Sequence, residues 1–257
     1  MEWYLVIAVI GVGFMAGFIN TLAGSGSLLS LPMLMFLGLP ANVANGTNRI
    51  AILLQNVVGV GSFRQQKVLN TRMGFWLALP AVIGSLIGAQ VAIELNEELM
   101  EKVIGGLLIA MFFLILYKPA RWVKGQAGHV RAKPNLLQFI IFFFIGIYGG
   151  FIQAGVGLFL LAGLVLGAGV DLVRANAMKL LIVLIYTPFA LAIFFLNDQV
   201  NWKVGLILAL GNMLGAFVAS RFAVSWGAKY VRYILLLVIL GSALKLLGAF
   251  DLLFASL

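Results

Sequence analysis

Apolar runs separated by short polar clusters extend along the whole chain. Several runs, such as residues 136–154 and 177–196, approach the about 20 apolar residues that a helix needs to cross roughly 30 Å of hydrocarbon. The pattern therefore predicts an all-α polytopic membrane protein. Breaking the sequence at its polar clusters gives ten apolar segments, at 3–22, 27–39, 49–63, 73–93, 99–117, 136–153, 158–170, 177–196, 203–221 and 230–249.

One long polar stretch, residues 118–135, divides the chain. Its sequence, KPARWVKGQAGHVRAKPN, contains the single histidine and a group of cations, which is typical of a linker on the cytoplasmic side of a membrane. The sequence therefore predicts a first transmembrane repeat over residues 1–117 and a second transmembrane repeat over residues 136–257.

The two halves resemble each other in sequence. At an offset of 131 positions, glycine falls on glycine and asparagine on asparagine, and the same register recovers the order of the segments. A repeat of five segments has an odd number of crossings, so the second half begins on the opposite face and the repeats are inverted. Loss of two crossings per half to a re-entrant hairpin would preserve this parity. The matched positions include Gly24 and Gly155, Gly26 and Gly157, Asn45 and Asn176 and, at an offset of 127, Gly84 and Gly211, and Gly88 and Gly215.

The composition agrees with this interpretation. Hydrophobic residues make up 63% of the 257 residues and charged ones only 10%, whereas roughly 25% charge is typical of soluble domains. With the N-terminus outside, most lysines and arginines fall in loops on the inner face, as the positive-inside rule requires. The net charge of +9 therefore needs no nucleic-acid partner. The chain has no cysteine, which excludes disulfides and thiolate metal sites.

Two short segments beside glycine pairs are the best candidates for a substrate site. Segments 27–39 and 158–170 correspond to about 20 Å of helix, too little to cross the bilayer, and such interrupted segments mark the site in inverted-repeat transporters. Helix starts with free N–H groups favour an anion, and Ser25 or Ser27 would cap the first of these helices. Alternatively, the glycines only let helices pack closely. The candidates are Gly24, Ser25, Gly26, Ser27, Gly155 and Gly157.

A polar group with a nearby cation follows each short segment. In the first half it is Asn45-Gly46-Thr47-Asn48-Arg49, in which the asparagines and the threonine would donate hydrogen bonds and Arg49 would compensate the charge of an anion. Alternatively, this stretch is a solvated loop that caps the next helix. In the second half the counterparts are Asn176 and Lys179, for which a loop on the inner face is the alternative.

Neutral polar residues lie within or beside the apolar runs and could either bind an oxyanion or join helices. Asn20 and Gln153 complete the candidate substrate site, while Gln55 and Asn56 share the same character. The acidic residues lie at segment ends and His129 lies in the linker, so no buried proton relay is visible.

The sequence contains none of the motifs HExxH, GxSxG or GKS/T. A transporter without a cofactor, acting on a small anion within the lipid bilayer, is therefore favoured over an intramembrane enzyme. A channel or a scaffold is the alternative. The sequence carries no signal for the oligomeric state.

The same stretches also resemble a known family. The chain is similar to the sulfite exporter TauE/SafE family of bacterial and archaeal permeases over nearly its whole length. The resemblance implies an anion permease of the inner membrane that moves sulfite, an organosulfonate or a related sulfur-containing or organic anion. We therefore expect a secondary transporter that works by alternating access, with a passive anion channel as the alternative. The residues that carry the resemblance are Gly17-Phe18-Ile19, Leu22-Ala23-Gly24-Ser25-Gly26, Pro32, Leu39-Pro40 and Ala44-Asn45-Gly46-Thr47-Asn48.

The family commonly has three consecutive glycines at both motifs. This chain instead has Gly24-Ser25-Gly26-Ser27 in the first half and Gly155-Val156-Gly157 in the second. The substitutions place a hydroxyl and a branched apolar side chain where the family has none.

Overall fold

Helices account for nearly all of the residues 2–117 and 134–222 that the computed structural model describes. A π-helical turn, Gly163–Gly167, continues the seventh helix. The helices are α1 Trp3–Ala23, α2 Ser27–Phe36, α3 Ala41–Gln65, α4 Thr71–Glu94, α5 Glu97–Tyr117, α6 Leu136–Phe151, α7 Val156–Ala162, α8 Leu172–Leu196 and α9 Trp202–Phe222.

The first nine predicted apolar segments each correspond to one of these helices, which confirms the all-helical fold class. Four of them, α1, α4, α8 and α9, are long and apolar enough to cross a membrane. The chain is therefore a multi-pass membrane protein. The tenth segment, 230–249, and residues 118–133 of the predicted linker lie outside the described residues.

Two helices begin earlier than the hydrophobic pattern predicts. α3 begins at Ala41, and α8 begins at Leu172, where the carboxylate of Asp171 accepts a hydrogen bond from the backbone N–H of Arg174 at 3.0 Å. The polar stretch that ends in Arg49 is therefore helical, and its interpretation as a solvated loop is wrong. Its side chains are buried because they find hydrogen-bond partners on other helices, a compensation that burial of polar groups requires.

The helices beside the glycine motifs are short, as predicted. α2 has 10 residues and α7 has 7, so α2 extends over only about 15 Å. Each is followed by a glycine in the left-handed region, Gly38 with φ of 85° and Gly169 with φ of 68°. These glycines turn the chain away from the short helices towards α3 and α8.

Glycine stripes bring two helix pairs into direct backbone contact. α1 packs on α9, and α4 packs on α6. A methyl group on a stripe glycine would overlap backbone atoms of the facing helix, so only glycine permits this approach. In the sequence repeat, α1 corresponds to α6 and α4 corresponds to α9. The packing of α1 on α9 is therefore equivalent to the packing of α6 on α4. The stripe glycines are Gly13 and Gly17 in α1, Gly211 and Gly215 in α9, Gly84 and Gly88 in α4, and Gly146 and Gly150 in α6.

Large apolar side chains lie exposed on the outside, whereas polar side chains are buried between the helices. An apolar exterior suits contact with lipid, and buried polar groups need partners or a ligand. The buried polar residues include Asn45, Thr47, Asn48, Arg49, Gln55 and Asn56 in α3, Asn176, Lys179 and Thr187 in α8, and Asn212 in α9.

Candidate functional site

Two glycine turns, one in each half of the sequence, contact each other. α1 ends before Gly24, which has φ of 75°, and α6 ends before a turn that contains Gln153 and Gly155, with φ of 52° and 73°. The backbone N–H of Gly157 donates a hydrogen bond to the carbonyl oxygen of Gly24 at 3.0 Å. A methyl group on Gly24 or Gly157 would overlap the backbone of the other, so this contact requires glycine at both positions.

The serines beside the first turn do not cap α2, which corrects the sequence-based expectation. Gly26 occupies the N-cap position in a helical conformation, and no side chain accepts a hydrogen bond there. The hydroxyl of Ser27 instead accepts a hydrogen bond from the side-chain amide of Asn48 at 3.1 Å. The hydroxyl of Ser25 is buried and has no partner within the described residues. Ser27 therefore contacts α3 rather than capping its own helix.

Arg49 binds the end of α6 from the middle of α3. Its side chain is fully buried, and its Nη1 donates to the carbonyl oxygen of Gly149 at 3.0 Å while its Nη2 donates to that of Gly150 at 2.5 Å. Asn45, one turn earlier, donates to the carbonyl oxygen of Phe151 at 2.8 Å. The last carbonyls of a helix lack partners within the helix and carry its negative dipole end, so they attract a cation. α3 therefore caps α6.

Lys179 makes the corresponding contact in the other direction. Its buried Nζ donates to the carbonyl oxygens of Asn20 at 2.8 Å and Thr21 at 3.0 Å, near the end of α1. It also donates to the side-chain oxygen of Asn176 at 2.8 Å. α8 therefore caps α1. Each half of the sequence supplies the cation that caps the helix before the glycine turn of the other half, and the interpretation of Lys179 as a loop residue is wrong.

Neither buried cation is paired with a carboxylate in residues 2–117 or 134–222. The ion pairs found there join Lys102 to Glu98 and Arg174 to Asp171, and both pairs are exposed. Helix-end carbonyls offset part of a buried positive charge but do not neutralise it. The region is therefore electropositive and favours an anion. The acidic side chains that the structure describes are all exposed: Glu2, Glu94, Glu97, Glu98, Glu101, Asp171 and Asp198.

A small cavity of about 10 Å³ lies between the two glycine turns and α8. Its volume is close to the minimum that holds one water molecule. The surrounding helices must therefore separate before a larger solute can enter, and this conformation is a closed one. The lining residues are Asn20, Ser27, Asn56, Gln153, Val156, Gly157, Lys179, Leu180 and Val183.

Arg49 reaches the cavity through Gln153. Its Nη1 donates to the side-chain oxygen of Gln153 at 3.2 Å, and the amide of Gln153 lies 3.4 Å from the hydroxyl of Thr187. The guanidinium also lies 4.5 Å from the centroid of the Phe194 ring, a favourable cation–π distance. One polar network therefore joins Arg49 to the cavity that Lys179 lines directly.

Other candidate residues lie outside the cavity and support its frame. The hydroxyl of Thr47 accepts a hydrogen bond from the backbone N–H of Asn201 at 2.8 Å and so holds the start of α9. Gly26 packs on the carbonyl oxygen of Ala16, and Gly155 packs on Met111. These positions fix the turns and helix ends around the cavity.

Asn56 lines the cavity although it was not among the predicted site residues. It is fully buried, and neither polar atom of its side chain has a partner within the described residues. Its neighbour Gln55 accepts hydrogen bonds from Asn20 at 3.2 Å and from Asn212 at 3.3 Å. The helical spacing of the polar residues in α3, at positions 45, 48, 49, 55 and 56, would have placed Asn56 on the same face. This spacing becomes informative only when α3 is known to begin at Ala41, before these polar residues.

Known proteins similar to this chain are described as membrane transporters. The model of the sulfite exporter TauE/SafE family matches residues 9–246. The chain is 29% identical over 248 residues to a probable membrane transporter protein, ORF9, of Sinorhizobium sp, covering 96% of this chain and 94% of the relative. It is 28% identical over 237 residues to the probable membrane transporter protein YfcA of Escherichia coli, covering 92% and 87% of the two chains. A probable membrane transporter protein of Haemophilus influenzae is 26% identical over 221 residues, covering 86% of each chain. No solved structure gives a significant match.

Proposed function

Because this chain belongs to the sulfite exporter TauE/SafE family of membrane transporters, we propose that it is a secondary transporter for a small oxyanion. The substrate is sulfite, an organosulfonate or a related sulfur-containing or organic anion. The protein moves it across the cytoplasmic membrane by alternating access, in which the site is exposed first to one side and then to the other.

The burial of Arg49 and Lys179 without a carboxylate partner among the described residues carries this proposal. Burying a charge is costly unless it is paired, and a cation inside a membrane protein marks a functional site by default. Both cations lie at the helix ends before the glycine turns, where their side chains can turn from backbone carbonyls to a bound anion. An oxyanion supplies the missing negative charge and several acceptor oxygens.

The substrate site is formed from both halves of the sequence. Lys179 supplies a positive charge at the cavity, while Asn20, Gln153 and Ser27 supply neutral donors. Arg49 holds the side chain of Gln153 by a hydrogen bond, and its charge adds to the positive potential of the site. The remaining candidate residues hold the turns and helix ends in place. The full set is Asn20, Gly24, Ser25, Gly26, Ser27, Asn45, Thr47, Asn48, Arg49, Gln153, Gly155, Gly157, Asn176 and Lys179.

The proposed architecture is two transmembrane repeats of inverted topology, residues 1–117 and 136–257, joined by a cytoplasmic linker over 118–135. Two observations support it. The packing of α1 on α9 is repeated by that of α6 on α4, and the capping of α6 by Arg49 is repeated by the capping of α1 by Lys179. Exchanged contacts of this kind are expected when two similar repeats are related by a pseudo-two-fold axis, and an odd number of crossings in each repeat makes their topology inverted.

A ligand-stabilisation panel tests the proposal. Purified protein is heated with sulfite, sulfate, thiosulfate, sulfonates or carboxylates, since a ligand that binds only the folded state raises the melting temperature. We expect one class of oxyanion to stabilise the protein in a saturable manner. Stabilisation by none of them, together with no flux of any of them in proteoliposomes, would contradict the proposal.

Counterflow separates a carrier from a passive channel. In proteoliposomes, unlabelled substrate inside the vesicle accelerates entry of labelled substrate through a carrier, because the site returns loaded. A channel gives no such acceleration. The closed cavity of about 10 Å³ favours the carrier, because it leaves no room for an anion without rearrangement of the helices.

A further inference from the structure

A second cavity lies away from the buried cations, between the loop that joins α3 to α4 and the start of α8. Its volume is about 370 Å³, within the range of roughly 300–1,000 Å³ that is typical of small-molecule clefts. The loop side of the cavity is exposed within the described part of the chain. The lining residues are Lys67, Val68, Leu69, Asn70, Thr71, Arg72, Val170, Arg174 and Met178.

The exposed wall of this cavity is positively charged. Lys67, Arg72 and Arg174 all line it. Within the described residues, Arg174 forms an ion pair with Asp171 at 3.4 Å, and Asp171 does not itself line the cavity. Lys67 and Arg72 form no ion pair with a described acidic residue. The wall therefore attracts anions.

The buried residues of this cavity belong to the same apolar cluster as residues that line the inner cavity. Val170 and Met178 are buried and belong to one packed cluster with Val156 and Val183. Val156 and Val183 line the small inner cavity, together with Lys179, which follows Met178 in α8. A single apolar cluster thus contributes residues to the linings of both the basic outer cavity and the inner cavity that Lys179 lines.

We infer that the outer cavity is a vestibule that collects small oxyanions before they reach the site, and that Met178 and Val156 belong to its closed gate. The inference rests on the proposed function, and the positive-inside rule places this face in the cytoplasm. A cleft lined by one sign of charge focuses the field and raises the local concentration of the opposite ion, with gains of about 10-fold to 1,000-fold in association rate. The cations act by this field and need no fixed contact with the anion.

The first experiment measures the field without any transport. Because the chain has no cysteine, Thr71→Cys introduces a single thiol on the cavity wall. Its reaction rates with an anionic and a cationic methanethiosulfonate reagent are compared in low salt, where the Debye length is about 30 Å. We expect Lys67→Gln combined with Arg72→Gln to lower the ratio of the anionic to the cationic rate by about three-fold to ten-fold.

The matched control is Lys203→Gln in the same Thr71→Cys background. Lys203 is exposed at the start of α9 and does not line the cavity, so its removal should leave the ratio unchanged. The difference in rate ratio between the Lys67/Arg72 variant and the Lys203 control should disappear in about 1 M salt, where the Debye length is about 3 Å. An equal change of the ratio with both sets of substitutions would overturn the vestibule, whatever the protein transports.

The second experiment measures flux from the vestibule side in low salt. Neutralising Lys67 and Arg72 should raise the KM for the oxyanion several-fold and leave the maximal rate and the thermal stabilisation by the anion unchanged. A lower stabilisation would assign these cations to the buried site and overturn the inference. If neutralising Lys67 and Arg72 changes the ratio of labelling rates but no anion is transported, the proposed function is wrong, whereas the anion-attracting field of the cavity is confirmed.

A lipid phosphate is the other source of negative charge for this cavity. Repeating the labelling in vesicles of zwitterionic lipid alone, and with added anionic phospholipid, distinguishes the two sources. If the vestibule is open to solutes, the ratio of the anionic to the cationic labelling rate should be the same in both kinds of vesicle. Its loss whenever anionic lipid is present, with protection of Thr71→Cys from both reagents, would assign the cavity to a lipid headgroup.

Discussion

Arg49 donates a hydrogen bond to the carbonyl oxygen of Gly150 over 2.5 Å and so joins the middle of α3 to the end of α6. These residues lie on opposite sides of the predicted linker. The contact gives Arg49 a structural role, the capping of an interrupted helix, beside its proposed role as the counter-charge of a substrate. Experiments on this region must therefore separate the loss of a cap from the loss of a charge.

Arg49→Ala should remove both. The loss of charged hydrogen bonds to Gly149 and Gly150 is expected to cost about 1.5–3 kcal/mol each in stability, and anion binding should be abolished. Arg49→Lys keeps the charge but loses the two-pronged contact, so it should fold with a smaller loss and retain weak binding. Melting temperature and anion-induced stabilisation are measured for both. Normal uptake by Arg49→Ala in proteoliposomes would remove Arg49 from the site.

Lys179→Gln separates the two roles more sharply. Glutamine still donates hydrogen bonds towards the carbonyls of Asn20 and Thr21 but carries no charge. Since a neutral hydrogen bond contributes about 0.5–1.5 kcal/mol, we expect a modest change in melting temperature and a complete loss of stabilisation by the anion. Lys179→Arg, which keeps the charge, is the matched control and should retain some anion response. Wild-type anion response in Lys179→Gln would show that its charge does not serve binding.

Gly24→Ala should destabilise the protein strongly. The residue has φ of 75°, and its new methyl group would overlap Gly157. The left-handed conformation costs about 1–2 kcal/mol, and overpacking adds about 1–3 kcal/mol. Gly38→Ala is the control, because Gly38 has φ of 85° but nothing within 4 Å of the added methyl group. Equal losses of melting temperature in the two variants would show that the contact between the glycine turns contributes nothing.

Asn56→Leu should have opposite effects on stability and on binding. Both polar atoms of Asn56 are buried and have no partner in the part of the chain that the structure describes. Replacing an unsatisfied polar group by an apolar one of similar shape is nearly neutral or stabilising. We expect an unchanged or higher melting temperature and weaker stabilisation by the anion. Asn45→Leu, which removes the hydrogen bond to Phe151, should instead lower the melting temperature. A clear loss of stability in Asn56→Leu without loss of binding would contradict a role in the site.

The sequence predicted what depends on local pattern. Nine apolar segments and the two short helices follow from hydrophobic runs and glycine placement. The start of α3 was misplaced, because Asn45, Asn48 and Arg49 look like a loop until their partners on other helices are known. Such partners lie far away in sequence and have no local signature.

The same limit explains the errors in the site. The serines at 25 and 27 have the usual chemistry of helix caps, but a helical Gly26 and the amide of Asn48 leave no cap to form. The exchange of caps between the halves, by Arg49 and Lys179, joins residues 100–159 positions apart in the sequence. Only three-dimensional structure reveals it.

The glycine stripes limit which helices can separate in the proposed transport cycle. Each stripe locks a helix from one half against a helix from the other, α1 with α9 and α4 with α6, at a separation where backbones touch. Interfaces packed this tightly resist sliding. We therefore expect these two mixed pairs to stay together in the proposed transport cycle, and the opening that admits a solute to form between them rather than between the N-terminal and C-terminal halves of the polypeptide.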